Sequence, residues 1–237
     1  MWICNSTYKY SIHFSENQAI NDNLHAVMFE LFNFHIAKNS SFTGICGDFF
    51  LTDIARYTNG LAMQKYRPQE REAGIPVLKI KELGQKACDQ ASDRCSPNIK
   101  TDYIVHDGDI IFSWSGTLLV DIWTGGKCGL NQHLFKVTTD KYPPWFVYFW
   151  TCVHLDNFIR IAKDKAVTMG HIKRSDLERS KVFIPSTSTL IKLDEIFTPI
   201  YNSYISNSIE NRKLSKLRDT LLPKLMSGEL KISDFNR

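Results

Sequence analysis

The sequence predicts an α+β fold in which helices at both ends of the chain flank a central region of short strands. Three observations predict it. Apolar residues recur at three- and four-residue steps before residue 38. Between about 48 and 137, short alternating runs are separated by turn residues. After Pro185 the helical spacing returns and continues through most of the remaining chain.

The first predicted helix covers residues 15–37. Ser15 and Gln18 have the spacing of a capping box, which is typical of a helix start. An apolar stripe follows at steps of three and four residues, and we expect it to face the core. This stripe is formed by Ile20, Leu24, Val27, Leu31 and Phe34. Residues 38–48 then read as a linker.

The central region predicts a strand at residues 76–83 and two strands within residues 102–116, around a His-Asp-Gly turn. Side chains on a strand alternate between its two faces. Ile110, Phe112 and Trp114 would therefore face the core, and the serines between and after them would face outward. Glycines would keep the following loop thin enough for another molecule to approach closely. The outward serines are Ser113 and Ser115, and the glycines are Gly116, Gly125, Gly126 and Gly129.

Two longer helices are expected in the C-terminal part. Pro143 and Pro144 suit the start of an apolar helix that runs to about residue 162 and is too short and polar to span a membrane. Residues 175–178 read as a short helical turn, and residues 181–185 read as a last strand. A long helix would begin with Thr198 as its cap and Pro199 at its first position, and would end near Leu222, before Pro223.

Composition sets broad limits on function. With 43% apolar residues among 237, a substantial core is expected, and a net charge of +4 permits a nucleic-acid partner without requiring one. The six cysteines are scattered and form no Cys-x-x-Cys pair, which favours free thiols in a reducing compartment. The first residues do not resemble a signal peptide. A cytoplasmic protein is therefore expected.

The familiar catalytic motifs are incomplete. The Ser113 region lacks the first glycine of a Gly-x-Ser-x-Gly elbow. Tyr142-Pro-Pro-Trp resembles the Asn/Asp-Pro-Pro-aromatic motif of amino-methyltransferases, but Tyr142 cannot hold an amino nitrogen as an amide or carboxylate does. Cys46 occupies a required glycine of the accompanying Phe-x-Gly-x-Gly pattern, and the histidines are not at metal-ligand spacing. No catalytic or metal residue is predicted, although a stand-alone methyltransferase or nuclease remains an alternative.

Basic clustering is the stronger signal. Residues 160–181 contain seven basic side chains against three carboxylates, and residues 65–81 contain five against two. Lysine and arginine contact phosphates, whereas short polar side chains contact base edges. Together these residue types favour DNA binding. The predicted DNA-binding residues are Lys65, Arg67, Lys79, Lys81, Ser113, Ser115, Thr117, Asn131, Gln132, His133, Lys165, Thr168, His171, Lys173 and Arg174.

Several segments resemble the specificity subunits of type I restriction–modification enzymes. They are "IPVLKIKEL", "GDIIFSWSGT…GLNQHLFKV", the aromatic helix, "TMGHIKRSDLERSKVFIP" and the tail "LRDTLLPKLMSGELKI", and together they span about residues 48–232. The resemblance implies a target recognition domain with a twisted mixed or antiparallel sheet, followed by a spacer helix, that reads double-stranded DNA at a bipartite site. It implies no catalysis and no cofactor on this chain. Partner modification subunits would use S-adenosylmethionine to methylate adenine, and a restriction subunit would join through them.

The chain departs from the family pattern because it holds one recognition domain where two are usual, and because the Glu-Gln after the last proline is missing. Residues 19–34 resemble the end of a spacer helix. The predicted division is 1–40 as a spacer-like helix, 41–187 as the recognition domain and 188–237 as spacer helix and tail. A homodimer, or pairing with another half-subunit, is expected. A helical assembly protein that does not bind DNA is a further alternative. The predicted assembly residues are Ile200, Tyr204, Asn207, Asn211, Leu214 and Leu221, with the two asparagines either fixing helix register or facing solvent.

Overall fold

The computed structural model describes residues 2–37, 48–164 and 170–230, with side chains from residue 14 onward. Helices at both ends flank a strand-rich centre, so the α+β prediction is confirmed. The predicted linker at 38–48 lies almost wholly outside the described residues. The helices are α1 (Trp2–Phe32, continued by a π-helical turn at Asn33–Ala37), α2 (Leu51–Ile54), α3 (Ile80–Gln85), α4 (Pro144–Asp164), α5 (Arg174–Leu177) and α6 (Thr187–Met226).

Ten short strands form two four-stranded sheets and a two-stranded ribbon. They are β1 (Phe49–Phe50), β2 (Arg56–Asn59), β3 (Ile75–Leu78), β4 (Arg94–Cys95), β5 (Ile104–Val105), β6 (Ile110–Ser113), β7 (Leu119–Ile122), β8 (Cys128–Leu130), β9 (Leu134–Thr138) and β10 (Lys181–Val182). The first sheet, in the order β2-β9-β6-β7, is antiparallel throughout. The second, in the order β4-β3-β8-β5, is mixed because β3 and β8 run parallel. Strands β1 and β10 form the ribbon.

Strand β6 shows how the layers are stacked. Ile110 and Phe112 pack into the large core around α4, as the alternation predicted. Ile111, on the opposite face, packs into a second core that includes residues of β3 and β8. The antiparallel sheet therefore lies between the helices and the mixed sheet, and both of its faces are buried at β6.

The predicted strand at residues 76–83 is only half correct. Strand β3 ends at Leu78, and α3 begins at Ile80. The Lys79 amide donates a hydrogen bond to the Glu82 carboxylate (3.2 Å), which is an interaction typical of a helix start. This local helix signal outweighs the alternation in the second half of the segment.

Helix α1 begins at Trp2 instead of Ser15, so the proposed capping box lies inside the helix. The predicted apolar stripe is not the buried side either. Ile20, Val27 and Phe34 are 47%, 52% and 67% exposed. Which side of α1 is buried depends on the elements that pack against it, and not on which side carries more apolar residues. From residue 14 onward, the side chains buried on α1 and its π-helical turn are Asn17, Asn21, Met28, Phe32 and Ile36.

Helix α6 begins at Thr187 instead of Thr198. The Ser186 side chain caps it by accepting a hydrogen bond from the Thr189 amide (3.3 Å). Phe197, in this early part, is 1% exposed and its ring stacks on Trp145 with centroids 4.3 Å apart. Such packing outweighs the backbone hydrogen bond that a proline inside a helix removes, so the helix continues through Pro199.

Helix α4 starts at Pro144, and the six residues Trp145–Trp150 are all buried. A helix surrounded by apolar groups on every side belongs to a core, so the predicted buried helix is confirmed. Among the helices that the structure describes, none is long and apolar enough to cross a membrane. The described cysteines, Cys88, Cys95, Cys128 and Cys152, are free thiols. Burial raises the pKa of the Cys152 thiol to about 12, which keeps it unreactive.

Candidate nucleic-acid interface

A cavity of about 560 Å³ opens between the turn after β2, the junction of β3 with α3, and the turn between β8 and β9. The last of these turns is held in place by its backbone. The Asn131 amide donates to the Leu78 carbonyl (3.1 Å), and the Leu134 amide donates to the Asn131 carbonyl (3.0 Å). The cavity is lined by Met63, Gln64, Arg67, Pro68, Val77, Lys79, Ile80, Lys81, Asp93, Arg94, Asn131, Gln132 and His133.

Four cationic side chains line this cavity against the single carboxylate of Asp93. Lys79 Nζ lies 2.5 Å from Asp93 Oδ2, and Lys81 Nζ lies 3.5 Å from Asp89 Oδ2. The hydrogen bond from Lys79 lowers the pKa of the Asp93 carboxyl, so this carboxyl is ionised at neutral pH. The four side chains of these two pairs are all more than two-fifths exposed, and exposed ion pairs are weak. Phosphate groups can therefore replace the two carboxylates.

His133 is held in place by hydrogen bonds at the edge of the cavity. Its Nδ1 lies 3.0 Å from Ser115 Oγ, and its Nε2 lies 3.3 Å from Gln132 Nε2. Its backbone amide donates to Asn131 Oδ1 (3.3 Å). The turn thus presents amide and imidazole groups, which donate and accept hydrogen bonds, in a fixed arrangement. This is the chemistry that reading base edges requires.

The prediction that Ser113 and Ser115 point outward is wrong. Ser113 is fully buried, and its hydroxyl donates to the Thr117 carbonyl (2.7 Å). Ser115 is 6% exposed and contacts His133. The cause is the second core, which covers the face of β6 that the alternation left for solvent. Thr117 alone of these three hydroxyl residues is exposed, as predicted.

The glycines between 125 and 129 also have a different role from the predicted one. A Cβ atom on Gly129 would lie 2.4 Å from Cys95 Sγ, and one on Gly125 would lie 2.2 Å from the Trp123 ring. The absent side chains leave room for the protein's own packing. Gly116 fits the prediction better, because it is exposed, has a φ of +64°, and lies against Ile80 at the cavity rim.

Residues 170–174, which are part of the basic cluster at residues 160–181, lie beside Gly116. The Gly116 amide donates to the Gly170 carbonyl (3.1 Å), and the Ile172 amide donates to the Trp114 carbonyl (3.1 Å). Lys173 and Arg174 follow directly and are exposed. The segment 170–174 therefore lies beside the 114–117 turn, and Gly116 of that turn lies near Ile80, which lines the cavity.

The structure thus brings together most of the predicted DNA-binding residues. Arg67, Lys79, Lys81, Asn131, Gln132 and His133 line the cavity, and Thr117, His171, Lys173 and Arg174 lie around the Gly116 turn. Lys65 is exposed on the short helical turn Met63–Lys65, beside the cavity but not in its lining. Lys165 and Thr168 lie outside the described residues.

Sequence reasoning missed three polar or charged lining residues, namely Gln64, Asp93 and Arg94. Arg94 lies outside both basic clusters and reaches the cavity because β4 pairs with β3, placing Arg94 opposite Pro76. Its guanidinium donates to the Gly74 carbonyl. Only the strand pairing, which the sequence does not specify, could have identified it.

The predicted assembly residues largely contact α1 of the same chain. Asn207 Nδ2 donates to Asn21 Oδ1 (3.1 Å), and Asn211 Nδ2 donates to the Phe14 carbonyl (3.4 Å). Tyr204 is 5% exposed, and its carbonyl accepts from Asn21 Nδ2 (3.1 Å). These bonds fix the register of α1 on α6. Ile200, Leu214 and Leu221 are half-buried on α6.

The structure gives the catalytic alternatives little support. Tyr142 precedes the start of α4, and its ring stacks on Phe146 with centroids 5.4 Å apart, so the double proline begins a helix. Among the residues that the structure describes, no group of three or more His, Cys, Asp or Glu side chains could hold a metal ion.

No protein-family model matches the chain. It is 28% identical over 193 residues to the type I restriction enzyme MjaIX specificity subunit of Methanocaldococcus jannaschii, covering 78% of this chain and 44% of that protein. It is 22% identical over 187 residues to the HindI specificity subunit of Haemophilus influenzae, covering 76% and 40%. A crystal structure of a type I S subunit from M. genitalium superposes with a TM-score of 0.48 at 16% identity, over 92% of this chain and 56% of that one.

The chain spans less than half the length of these two curated relatives. Both relatives agree with the family resemblance that the sequence motifs carried, which is thereby confirmed. The homologues of this chain are specificity subunits of type I restriction enzymes.

Proposed function

We propose that the chain is the sequence-specific DNA-recognition subunit of a type I restriction–modification system and reads one part of a bipartite site. One observation carries the proposal. The cationic cavity and the 131–133 turn lie near the 114–117 turn, and the exposed Lys173 and Arg174 follow the segment bonded to that turn, in a chain whose homologues are named specificity subunits. The chain itself catalyses no reaction on this proposal.

The proposed face divides into two kinds of contact. Arg67, Lys79, Lys81, Lys173 and Arg174 would contact phosphates, which supply affinity that depends on salt. Among the described residues, no carboxylate forms a salt bridge with Arg67.

Gln132 and His133 would contact base edges, with Thr117 and His171 beside them. Asn131 is only 7% exposed, so it would act by holding the His133 amide through its Oδ1. Amide side chains can pair with adenine through two hydrogen bonds. Ser115 would act through His133, because its hydroxyl contacts the imidazole.

The proposal keeps the division of the chain at residues 1–40, 41–187 and 188–237, with the middle part as the recognition domain. A second copy, or another half-subunit, would supply the other reading domain. The apolar stripe that α1 leaves exposed, Ile20, Val27 and Phe34, has the seven-residue spacing of a helix–helix seam. In the proposed pairing, this stripe and the predicted assembly residues Leu214 and Leu221 on α6 would contact the second copy.

The partners follow from the same proposal. Modification subunits would bind S-adenosylmethionine and methylate adenine, and a restriction subunit would join through them. The chain needs no cofactor of its own in this role. Because the proposed substrate is cellular DNA, the complex would act in the cytoplasm.

The test is to sequence methylated adenines in DNA from cells that express this chain with its modification subunit. We expect methylation at a split motif that disappears when this chain is absent. A palindromic motif would support the homodimer, and an asymmetric motif would support pairing with a different half-subunit. Methylation that does not depend on this chain would overturn the proposal.

Replacing Gln132 sharpens that test. We expect Gln132→Ala to change the methylated motif at one position, since a lost base contact reduces discrimination by roughly 1–3 kcal/mol. Gln85→Ala is the matched control, because Gln85 is an exposed glutamine on α3 that does not line the cavity. An unchanged motif in both variants would remove Gln132 from the reading surface.

Two other results would favour the alternatives. Methylation or cleavage of DNA by the isolated chain would indicate a stand-alone enzyme. If this chain forms a stable complex with the modification subunits, but those subunits bind DNA equally well in its absence, the chain would be an assembly protein.

A further inference from the structure

The recognition domain is joined to α6 by an ion pair outside the proposed DNA face. Arg212 Nη1 lies 2.6 Å from Asp107 Oδ1, and Arg212 Nη2 lies 2.8 Å from Asp107 Oδ2. This two-point arrangement is the strongest geometry that an arginine and a carboxylate can adopt. Both side chains are about two-thirds buried or more, at 31% and 26% exposure, so water and salt weaken the pair less than they weaken a surface pair.

The loop between β7 and β8 completes this contact. Arg212 also donates to the Thr124 carbonyl, and the Gly126 amide donates to Asp107 Oδ1 (2.7 Å). Gly126 has a φ of +91°, and a Cβ atom there would lie 3.3 Å from Arg212 Nη1. Burial alone would raise the pKa of Asp107, but the hydrogen bonds from Arg212 and Gly126 hold it below its ordinary value.

A second polar contact between the recognition domain and α6 lies two turns earlier on the helix. Lys86 Nζ lies 3.0 Å from the Tyr204 hydroxyl and 3.1 Å from Asp121 Oδ2. Residues 204 and 212 are about 12 Å apart along the helix axis. Together with the packing of Phe197 on Trp145, these two polar contacts hold the domain at a defined angle to α6.

We infer that Asp107 and Arg212 are positioning residues that fix the angle between the recognition domain and α6, and so restrict the spacing of the DNA half-sites that the assembly accepts. This inference rests on the proposed function, because spacing has meaning only when two reading domains bind one site. Neither residue lines the cavity, so neither should alter which bases are read.

Hydrogen exchange tests the contact itself. In the full chain, Arg212→Met should raise the hydrogen-exchange rate of the Gly126 amide by about tenfold or more. The reason is that Asp107 Oδ1, which accepts the hydrogen bond from this amide, is no longer held by the guanidinium. Arg212→Lys keeps the charge but loses the two-point geometry and should give a smaller increase. Arg218→Met is the control, since within the part of the chain that the structure describes Arg218 pairs only with exposed Asp219 on the same helix (2.8 Å).

Methylation of synthetic duplexes tests the consequence. The complex with the modification subunit is given the native half-sites separated by the native spacer, or by a spacer one base pair longer or shorter. We expect the wild-type preference for the native spacer to fall at least about fivefold in Arg212→Met and in Asp107→Asn. The half-site sequences should be unchanged, and Arg218→Met should behave as the wild type.

The failures of the two ideas are distinguishable. If the wild-type complex methylates a split site and Arg212→Met keeps the same spacer preference, the inference is overturned and the proposed function stands. If the wild-type complex shows no methylation that depends on this chain, both the proposed function and the inference about half-site spacing are overturned.

Discussion

The cavity and the contact between α1 and α6 both hold polar side chains in pairs, but under opposite conditions. In the cavity, Lys79 and Asp93 pair while their side chains remain 43% and 67% exposed. Between the helices, Asn21 is 7% exposed and bonds to the Tyr204 carbonyl, Ser208 Oγ (2.8 Å) and the Asn207 side chain.

The difference separates a binding surface from a structural contact. An exposed ion pair contributes little to stability, so a ligand phosphate can displace its carboxylate at small cost. Water cannot replace the hydrogen-bond partners of a buried amide, so its hydrogen bonds break only when the helices separate. Similar residue types therefore bind a partner in one region and hold the chain together in the other.

The largest expected effect tests whether α1 is anchored in the core by its aromatic side. Phe32 is fully buried, and its ring centroid lies 5.4 Å from those of Phe149 and Trp150 on α4. Phe32→Ala should lower the free energy of unfolding by about 3–5 kcal/mol, measured by denaturant titration. Ile191→Ala, on α6 at a residue that is 57% exposed and outside the proposed pairing surface, should change it by less than about 0.5 kcal/mol. Equal effects would show that Phe32 does not anchor α1 on α4.

A smaller loss is expected from the amide contact. Asn21→Ala leaves the Asn207 side chain without the acceptor at Asn21 Oδ1, and should lower the free energy of unfolding by about 1–3 kcal/mol. The exposed Asn23 supplies the matched substitution, Asn23→Ala, which should be nearly neutral. If the two variants are equally stable, the amide contact is not part of the structural core.

These helices also show the limit of periodicity as a guide. Helical spacing correctly predicted that residues 15–37 and the segment after Thr198 are helical. It chose the wrong side of α1, because Asn17 and Asn21 count as polar in any pattern and are buried only by bonding to α6. The start of α6 was missed because Pro199 is a strong local signal that tertiary packing overrides.

On the DNA-facing side, we expect losses in binding that depend on salt. Lys173→Ala and Arg174→Ala should each lower the slope of log affinity against log salt concentration by about one, since each removes one phosphate contact. The slope is measured by titrating the assembled complex with duplex DNA at several salt concentrations. Lys192→Ala on α6, an exposed lysine away from the cavity, should leave it unchanged. Unchanged slopes in the first two variants would remove these residues from the interface.

The site residues whose exposure follows from residue type were predictable from the sequence. Those whose exposure depends on how the two sheets pack on each other were not. Lysines and arginines remain at the surface in most folds, so Lys79, Lys81, Lys173 and Arg174 could be assigned from charge alone. Ser113 could not, because its exposure depends on a second sheet that covers β6. The meeting of Lys79 with the 131–133 turn depends on the pairing of β3 with β8, which no local pattern encodes.

The smallest expected effect concerns the carboxylate inside the cavity. Asp93→Asn frees Lys79 and removes a negative charge that would repel a phosphate. Because exposed ion pairs contribute less than about 1 kcal/mol, affinity for duplex DNA at low salt should rise by no more than about fivefold. Asp89→Asn provides the comparison, since it frees Lys81 from a longer pair (3.5 Å) and should have a smaller effect. A loss of affinity in Asp93→Asn would mean that Asp93 orients Lys79 for binding, and the exposed pair would then resemble the buried one in holding its partner in place.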